Sequence, residues 1–153
     1  MSNRIGIAAL VLWLATIAGL GFVFVHGSTA PAPDGRKAVL MSAAERDFVL
    51  AEMRGLLVVV RDITAALAEN DGAKAGRAAG LMGVEGSHDR APALLAKLPL
   101  DFKRQAMELH GGFDDFAAAA ARGEDVPNLH RRLIGQLDRC TACHAGFRID
   151  ATP

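Results

Sequence analysis

Ser42-Ala-Ala-Glu-Arg-Asp-Phe-Val-Leu-Ala-Glu-Met-Arg-Gly-Leu-Leu-Val-Val-Val-Arg-Asp-Ile-Thr-Ala-Ala-Leu67 is the stretch from which the fold can be read. It opens on a capping box, Ser42 at the N-cap and Glu45 three residues on, so each side chain can accept from the other residue's orphan amide group. Leu50, Met53, Leu57, Val60, Ile63 and Leu67 then recur at steps of three and four, which predicts one apolar stripe on a long α-helix. Asn70-Asp-Gly72 closes it.

Working outward, an Ala- and Gly-rich segment from about Ala73 to Val84 reads as a second, weaker helix, and Gly86 to Pro92 as a loop. Leu98-Pro99 leads into a third helix over about Leu100 to Arg122, with Phe102, Met107, Leu109, Phe113 and Phe116 available for burial. Gly123 to Pro127 breaks it, with Asp125 as a cap and a proline at the next helix start. The fourth helix runs from about Pro127 to Phe147 with a stripe of Leu133, Leu137, Cys140, His144 and Phe147. The expected fold is all-α: an antiparallel four-helix bundle. No strand pattern and no internal repeat are visible. Composition agrees, because Ala dominates after residue 40 and there is no Tyr, which favours helix over sheet. With 17 basic and 17 acidic residues there is no positive excess for a phosphate backbone, so no nucleic-acid partner is expected.

The chain begins Met1-Ser-Asn-Arg4 and continues from Ile5 to Val25 without a charge. As a helix that run is about 30 Å long, enough to cross a bilayer core. A cleaved signal peptide is the competing reading, with Gly27-Ser-Thr-Ala30 as its cleavage site, but the run exceeds the usual h-region and Pro31 would hinder the cut. Arg4 favours the N-terminus inside and the remainder outside. The expected division is a signal anchor or transmembrane helix over 1–27, a linker over 28–40 holding the domain off the membrane, and a helical domain over 41–150. Pro31-Ala-Pro-Asp-Gly-Arg36 suits the extended linker.

Near the C-terminus stands Cys140-Thr-Ala-Cys143-His144, the C-x-x-C-H pattern of c-type haem attachment. Residues three apart share a helix face, so both thiols can reach one haem, and His144 follows as proximal iron ligand. With two Cys and five His placed at random the pattern arises roughly once in 2,000 sequences of this length. Three other readings compete. A redox C-x-x-C belongs beside a βαβ unit, a structural zinc needs further ligands, and a helical C-x-x-C disulfide would be strained and close almost no loop.

The ending Cys140-Thr-Ala-Cys143-His144-Ala-Gly-Phe147-Arg148 resembles that of class II cytochromes c, the cytochrome c-prime family. Their pattern is C-x-x-C-H-x-x-[Tyr/Phe]-[Arg/Lys] on the last helix. The specific match covers the last ten or so residues, and the helix order extends it over about residues 38 to 150. The resemblance implies a four-helix bundle with one covalent haem c between its first and last helices. It also implies two functional branches: low-spin relatives place a Met of the first helix on the iron and transfer electrons, whereas cytochromes c-prime proper leave the sixth site open to NO or CO.

Met53 is the candidate sixth ligand. The helix from Met53 to Glu69 is similar to the first helix of the low-spin relatives. In an antiparallel pair Met53, about 15 Å into its helix, and His144, about 5–8 Å from the end of its own, also lie at the same end. The competing reading is core filler. Leu50 is then the candidate apolar distal residue, and His110 is the rival sixth ligand, alternatively a polar surface histidine or one that supports the site while bonded to Asp114. Arg54 and Arg148 are candidate propionate contacts. The family's usual basic residue one turn before the ligand position is Val49 here, a departure that bears on the propionate contact, and a surface ion pair is the alternative for Arg54. His26, His88 and His130 receive no role, and Met41, Met82 and Met107 read as packing or loop residues.

The expected function is electron carriage by a single-haem cytochrome anchored once in a bacterial inner membrane, its haem domain in the periplasm and its partners the redox proteins of an electron-transport chain. The alternatives are a five-coordinate gas-binding cytochrome and a non-haem helical scaffold with a redox or metal-binding C-x-x-C. No nucleophile–base pair suggests an enzyme. Class II relatives often form homodimers through their helices, and this chain carries no interface signal of its own.

Overall fold

The structure, a computed structural model, describes residues 2–85 and 92–152. The loop expected over Gly86 to Pro92, with His88 in it, lies outside the described residues except at Pro92. In chain order the elements are α1 (Ser2–His26), β1 (Thr29–Pro31), β2 (Lys37–Met41), α2 (Ala43–Ala68), α3 (Gly72–Gly80), α4 (Pro92–Lys97), α5 (Leu100–Ala121), α6 (Val126–Gly146) and β3 (Phe147–Ala151). The protein is mostly helical.

Helix α2 starts where its sequence says it should. The Glu45 amide donates to the Ser42 hydroxyl and the Ser42 amide donates to the Glu45 carboxylate at 2.8 Å, which completes the capping box. Its burial departs from the expected stripe. Val49, Leu56, Val59, Ile63, Ala66 and Leu67 are buried, while Leu57 is 70% exposed. The stripe therefore divides: Ile63 and Leu67 enter the core, and Leu50, Met53, Leu57 and Val60 line a cavity.

Helix α3 is short and built of Gly and Ala because it lies very close to α5. A Cβ added to Gly76 would stand 2.6 Å from that of Ala120. Helix α5 buries Phe102, Phe113 and Phe116 as expected, each large ring contributing about 1.5–3 kcal/mol by leaving water. Met107, expected to pack, is 49% exposed. Helix α6 is capped by Asp125, which accepts from the Asn128 amide, and has its proline in the first turn. Helix α3 packs on α2 and α5, and α5 packs on α6, whereas α2 and α6 touch only briefly. Two apolar clusters result. One joins α2, α3, α5 and α6 around Phe113 and Phe116; the other gathers Val39, Met41, Val49, Leu98, Phe102 and Phe147.

The expectation of no strand is corrected. Three strands form a sheet in the order β1-β2-β3. β1 and β2 make an antiparallel hairpin within the stretch read as a linker, turning at Gly35 with φ +84°, a backbone that glycine adopts without a Cβ penalty. β2 then runs parallel to β3, from Lys37↔Phe147 to Met41↔Ala151. The strands were hidden for physical reasons. They are three to five residues long, β1 carries an edge-strand proline, and β2 buries Ala38, Val39 and Met41 without alternation.

Helix α1 carries a run from Arg4 to His26, 23 residues of mean hydropathy 2.4 with none of its most apolar window buried. It is one helix long and apolar enough to cross a membrane or to serve as a signal anchor. A few contacts join its C-terminal end to the rest of the protein. The Ser28 amide donates to the Lys97 carbonyl at 2.7 Å, and the Lys103 ammonium donates to the Phe24 carbonyl at 3.0 Å while lying 4.1 Å from the Phe24 ring centre.

Candidate functional site

Where α2 and α6 part, a cavity of about 570 Å³ opens between the two apolar clusters. Leu50, Met53, Arg54, Leu57 and Val60 line it from α2. Phe102, Leu109 and Phe113 line it from α5, and Leu137, Cys140, Cys143 and His144 from α6. The sheet contributes Phe147, Arg148 and Ile149 from β3, and the hairpin turn contributes Arg36. Met53 packs against both clusters, and Phe102 meets Phe147 edge to face at 5.3 Å.

The spacing of α6 explains its share of this wall. Leu137, Cys140 and His144 advance by three and four residues along one face, and Cys143 lies beside them. Both thiols are free and half-buried. Burial raises the pKa of Cys140, and burial together with the neighbouring Cys140 raises that of Cys143, so both favour the protonated form. His144 is exposed at the cavity.

Charge gathers at the hairpin side. Asp34 accepts from Nε and Nη2 of Arg36 at 3.1 and 2.8 Å and from Nη1 of Arg148 at 3.2 Å. The Arg36 side chain, then its backbone amide, and with them Arg148, hold the Asp34 carboxyl down to about 2. Arg148 also donates to Asp150 at 2.9 Å. Arg36 reaches further and donates to the backbone carbonyls of His144 and Phe147 at 3.3 and 3.4 Å. Arg54 is exposed on the rim of the cavity.

The structure thus brings Cys140, Cys143, His144, Met53, Leu50, Arg54 and Arg148 to one cavity. It does not bring His110 there. His110 is buried on α5, where Nδ1 donates to the Met82 carbonyl at 2.8 Å rather than to Asp114, whose carboxylate accepts from the Val84 amide. Sequence reasoning missed Arg36 and Ile149, because a turn arginine and a short strand carry no local mark of a site. It also missed Gln136, buried on α6 and donating to the Leu109 carbonyl at 3.0 Å. Two thiols, an imidazole and a thioether can therefore present donors to one apolar space rimmed by guanidinium groups.

Comparison of the chain with protein-family models, with curated proteins and with solved structures finds no match.

Proposed function

We propose that the chain is a single-haem c-type cytochrome of the class II kind, tethered to a bacterial inner membrane with its haem domain in the periplasm, and that it carries electrons between redox proteins of an electron-transport chain. One observation carries the reading: Cys140, Cys143 and His144 of α6 line the same apolar cavity as Met53 of α2. The residues present fit a haem. The cavity volume lies within the roughly 300–1,000 Å³ of ligand pockets, its walls are aliphatic and aromatic, and its donors suit iron and vinyl chemistry.

A bound haem supplies a one-electron couple, and the protein positions it and sets its potential. Cys140 and Cys143, three apart on one face, hold it from α6. His144 offers its imidazole and Met53 its thioether, a pair that raises the potential relative to two histidines. Phe102, Leu109, Phe113 and Leu137 give the space apolar walls, and Arg36, Arg54 and Arg148 suit carboxylates at the rim. The packing of α2, α3, α5 and α6 supports an antiparallel four-helix bundle as the haem-holding arrangement, with α1 as a single-pass anchor oriented by Arg4.

A second reading has its own observation. Leu50 and Leu57 line the same α2 wall as Met53, and an aliphatic group over the iron would leave an open site for NO or CO. The non-haem reading has less support. Burial raises both thiol pKa values, which favours the thiol over the thiolate that redox chemistry uses. The test is a visible spectrum of the matured protein, oxidised and dithionite-reduced, with and without CO. A low-spin reduced spectrum that CO leaves unchanged supports electron carriage, and one that CO shifts favours gas binding. Loss of all haem on acid–acetone extraction overturns both.

A further inference from the structure

The chain places a charged hairpin against the helix end that bears His144, and nothing in the C-x-x-C-H motif calls for it. His144 lies in the last turn of α6, where backbone carbonyls have no partner within the helix and the turn tends to fray. Within that turn Phe147 returns its amide to the Cys143 carbonyl. The carbonyls of His144 and Phe147 are met instead by Nη1 of Arg36, from the far side of the sequence. Arg36 is itself held in orientation: Asp34 accepts from its Nε, its Nη2 and its backbone amide. The same carboxylate takes Arg148, just beyond α6. From Lys37 onward the hairpin is zipped to β3 in parallel register. One turn of chain thus clamps both the end of α6 and the strand that leaves it.

Resting on the haem reading above, we propose that Arg36 is a positioning residue of this site: it pins the C-terminal turn of α6 through the His144 and Phe147 carbonyls and keeps a positive charge at the cavity, with Asp34 orienting it. Two effects follow, and they separate chemically. The fork geometry of guanidinium allows one nitrogen to serve two carbonyls while the others stay on Asp34, which an ammonium cannot reproduce. The charge opposes an extra positive charge on iron, so it favours the reduced state whatever the geometry of the group that bears it. A cation at a helix C-terminus also complements the helix dipole.

The test compares the full-length protein in nanodiscs with its Arg36→Ala, Arg36→Lys and Asp34→Asn variants, and with Arg61→Ala, which removes an arginine that pairs with Asp62 on α2. Amide hydrogen exchange over 144–151 and the reduction midpoint are both read. Arg36→Ala should speed exchange in that segment roughly tenfold, leave α2 unchanged and lower the midpoint. Arg36→Lys should speed exchange yet keep the midpoint, and Arg61→Ala should do neither. Should Arg36→Ala fail to fold, Asp34→Asn carries the exchange test and is expected to speed it. Wild-type exchange in Arg36→Ala, or in Asp34→Asn where Arg36→Ala does not fold, overturns the proposal. If intact mass shows no covalent haem on the wild type, the cofactor reading falls alone, and the exchange comparison still decides for or against the clamp.

Discussion

The Lys97 ammonium lies 2.6 Å from Oε2 of Glu45, which is also the carboxylate that closes the capping box on Ser42. One side chain therefore starts α2 and ties α4 to it. Because the Lys97 carbonyl also accepts the Ser28 amide, the helix that carries Met53 is linked through two residues to the joint with α1.

That pair makes stability depend on acid. Lys97 first, then the backbone and hydroxyl of Ser42, hold the Glu45 carboxyl down from 4.5 to about 2. A carboxyl lowered by folding adds stability that is full above its unfolded pKa and vanishes as pH falls through its folded one. Thermal melting of the protein in detergent should show Glu45→Gln losing stability at neutral pH, and the gap to wild type should close between pH 4.5 and about 2. A gap that stays constant across that window would mean that the carboxylate charge contributes nothing.

The joint itself depends on Gly27. Its φ is +62°, and a Cβ there would lie 2.6 Å from the backbone of both Leu98 and Pro99. Gly27→Val should cost about 1–3 kcal/mol in backbone strain alone. The hairpin on which Arg36 sits begins two residues later, so the damage should spread from the joint. Limited proteolysis between residues 27 and 36 should be faster in the variant while α5 stays protected. Equal cleavage rates would show that the α1 junction is loose in the native protein.

Gly76 tests the α3–α5 contact in the same way. Val at this buried position must push against Ala120, and overpacking of this kind costs about 1–3 kcal/mol. For a chain of this size that is a fall of roughly 2–4 °C in Tm for each kcal/mol. Gly80, on the same helix, has its nearest contact at 4.0 Å. Gly80→Ala should leave Tm unchanged or raise it, since alanine is the better helix former.

The long amphipathic helices were legible because capping and periodicity are local, as at Ser42, Glu45 and Asp125. So was the α6 half of the site, since Cys140, Cys143 and His144 are neighbours in sequence. The sheet was not, because β2 and β3 stabilise each other only across the whole chain, and neither strand alternates well enough to be seen alone. The α2 stripe could be read as apolar but not as divided. Periodicity places Leu57 and Leu67 on one face without saying that one meets a cavity and the other a core. His110 looked like a rival ligand for a similar reason: its partner, the Met82 carbonyl, is a backbone atom with no signature in sequence.

If the chain carries the proposed haem, Met53 and His110 can be separated by paired substitutions whose structural costs differ from their spectral effects. Met53→Leu nearly conserves volume, so it should cost less than about 1.5 kcal/mol while removing the thioether from the cavity. The reduced spectrum should then become high-spin and respond to CO. His110→Ala should do the reverse. It leaves the part-buried Met82 carbonyl without this donor, at about 1–3 kcal/mol, yet it takes nothing from the cavity, so the spectrum should match wild type. If His110→Ala alone opens the iron to CO, α5 rather than α2 supplies the sixth ligand and must move to do so. If neither variant changes a spectrum that already responds to CO, Leu50 and Leu57 define the distal wall and gas binding becomes the better account of the site.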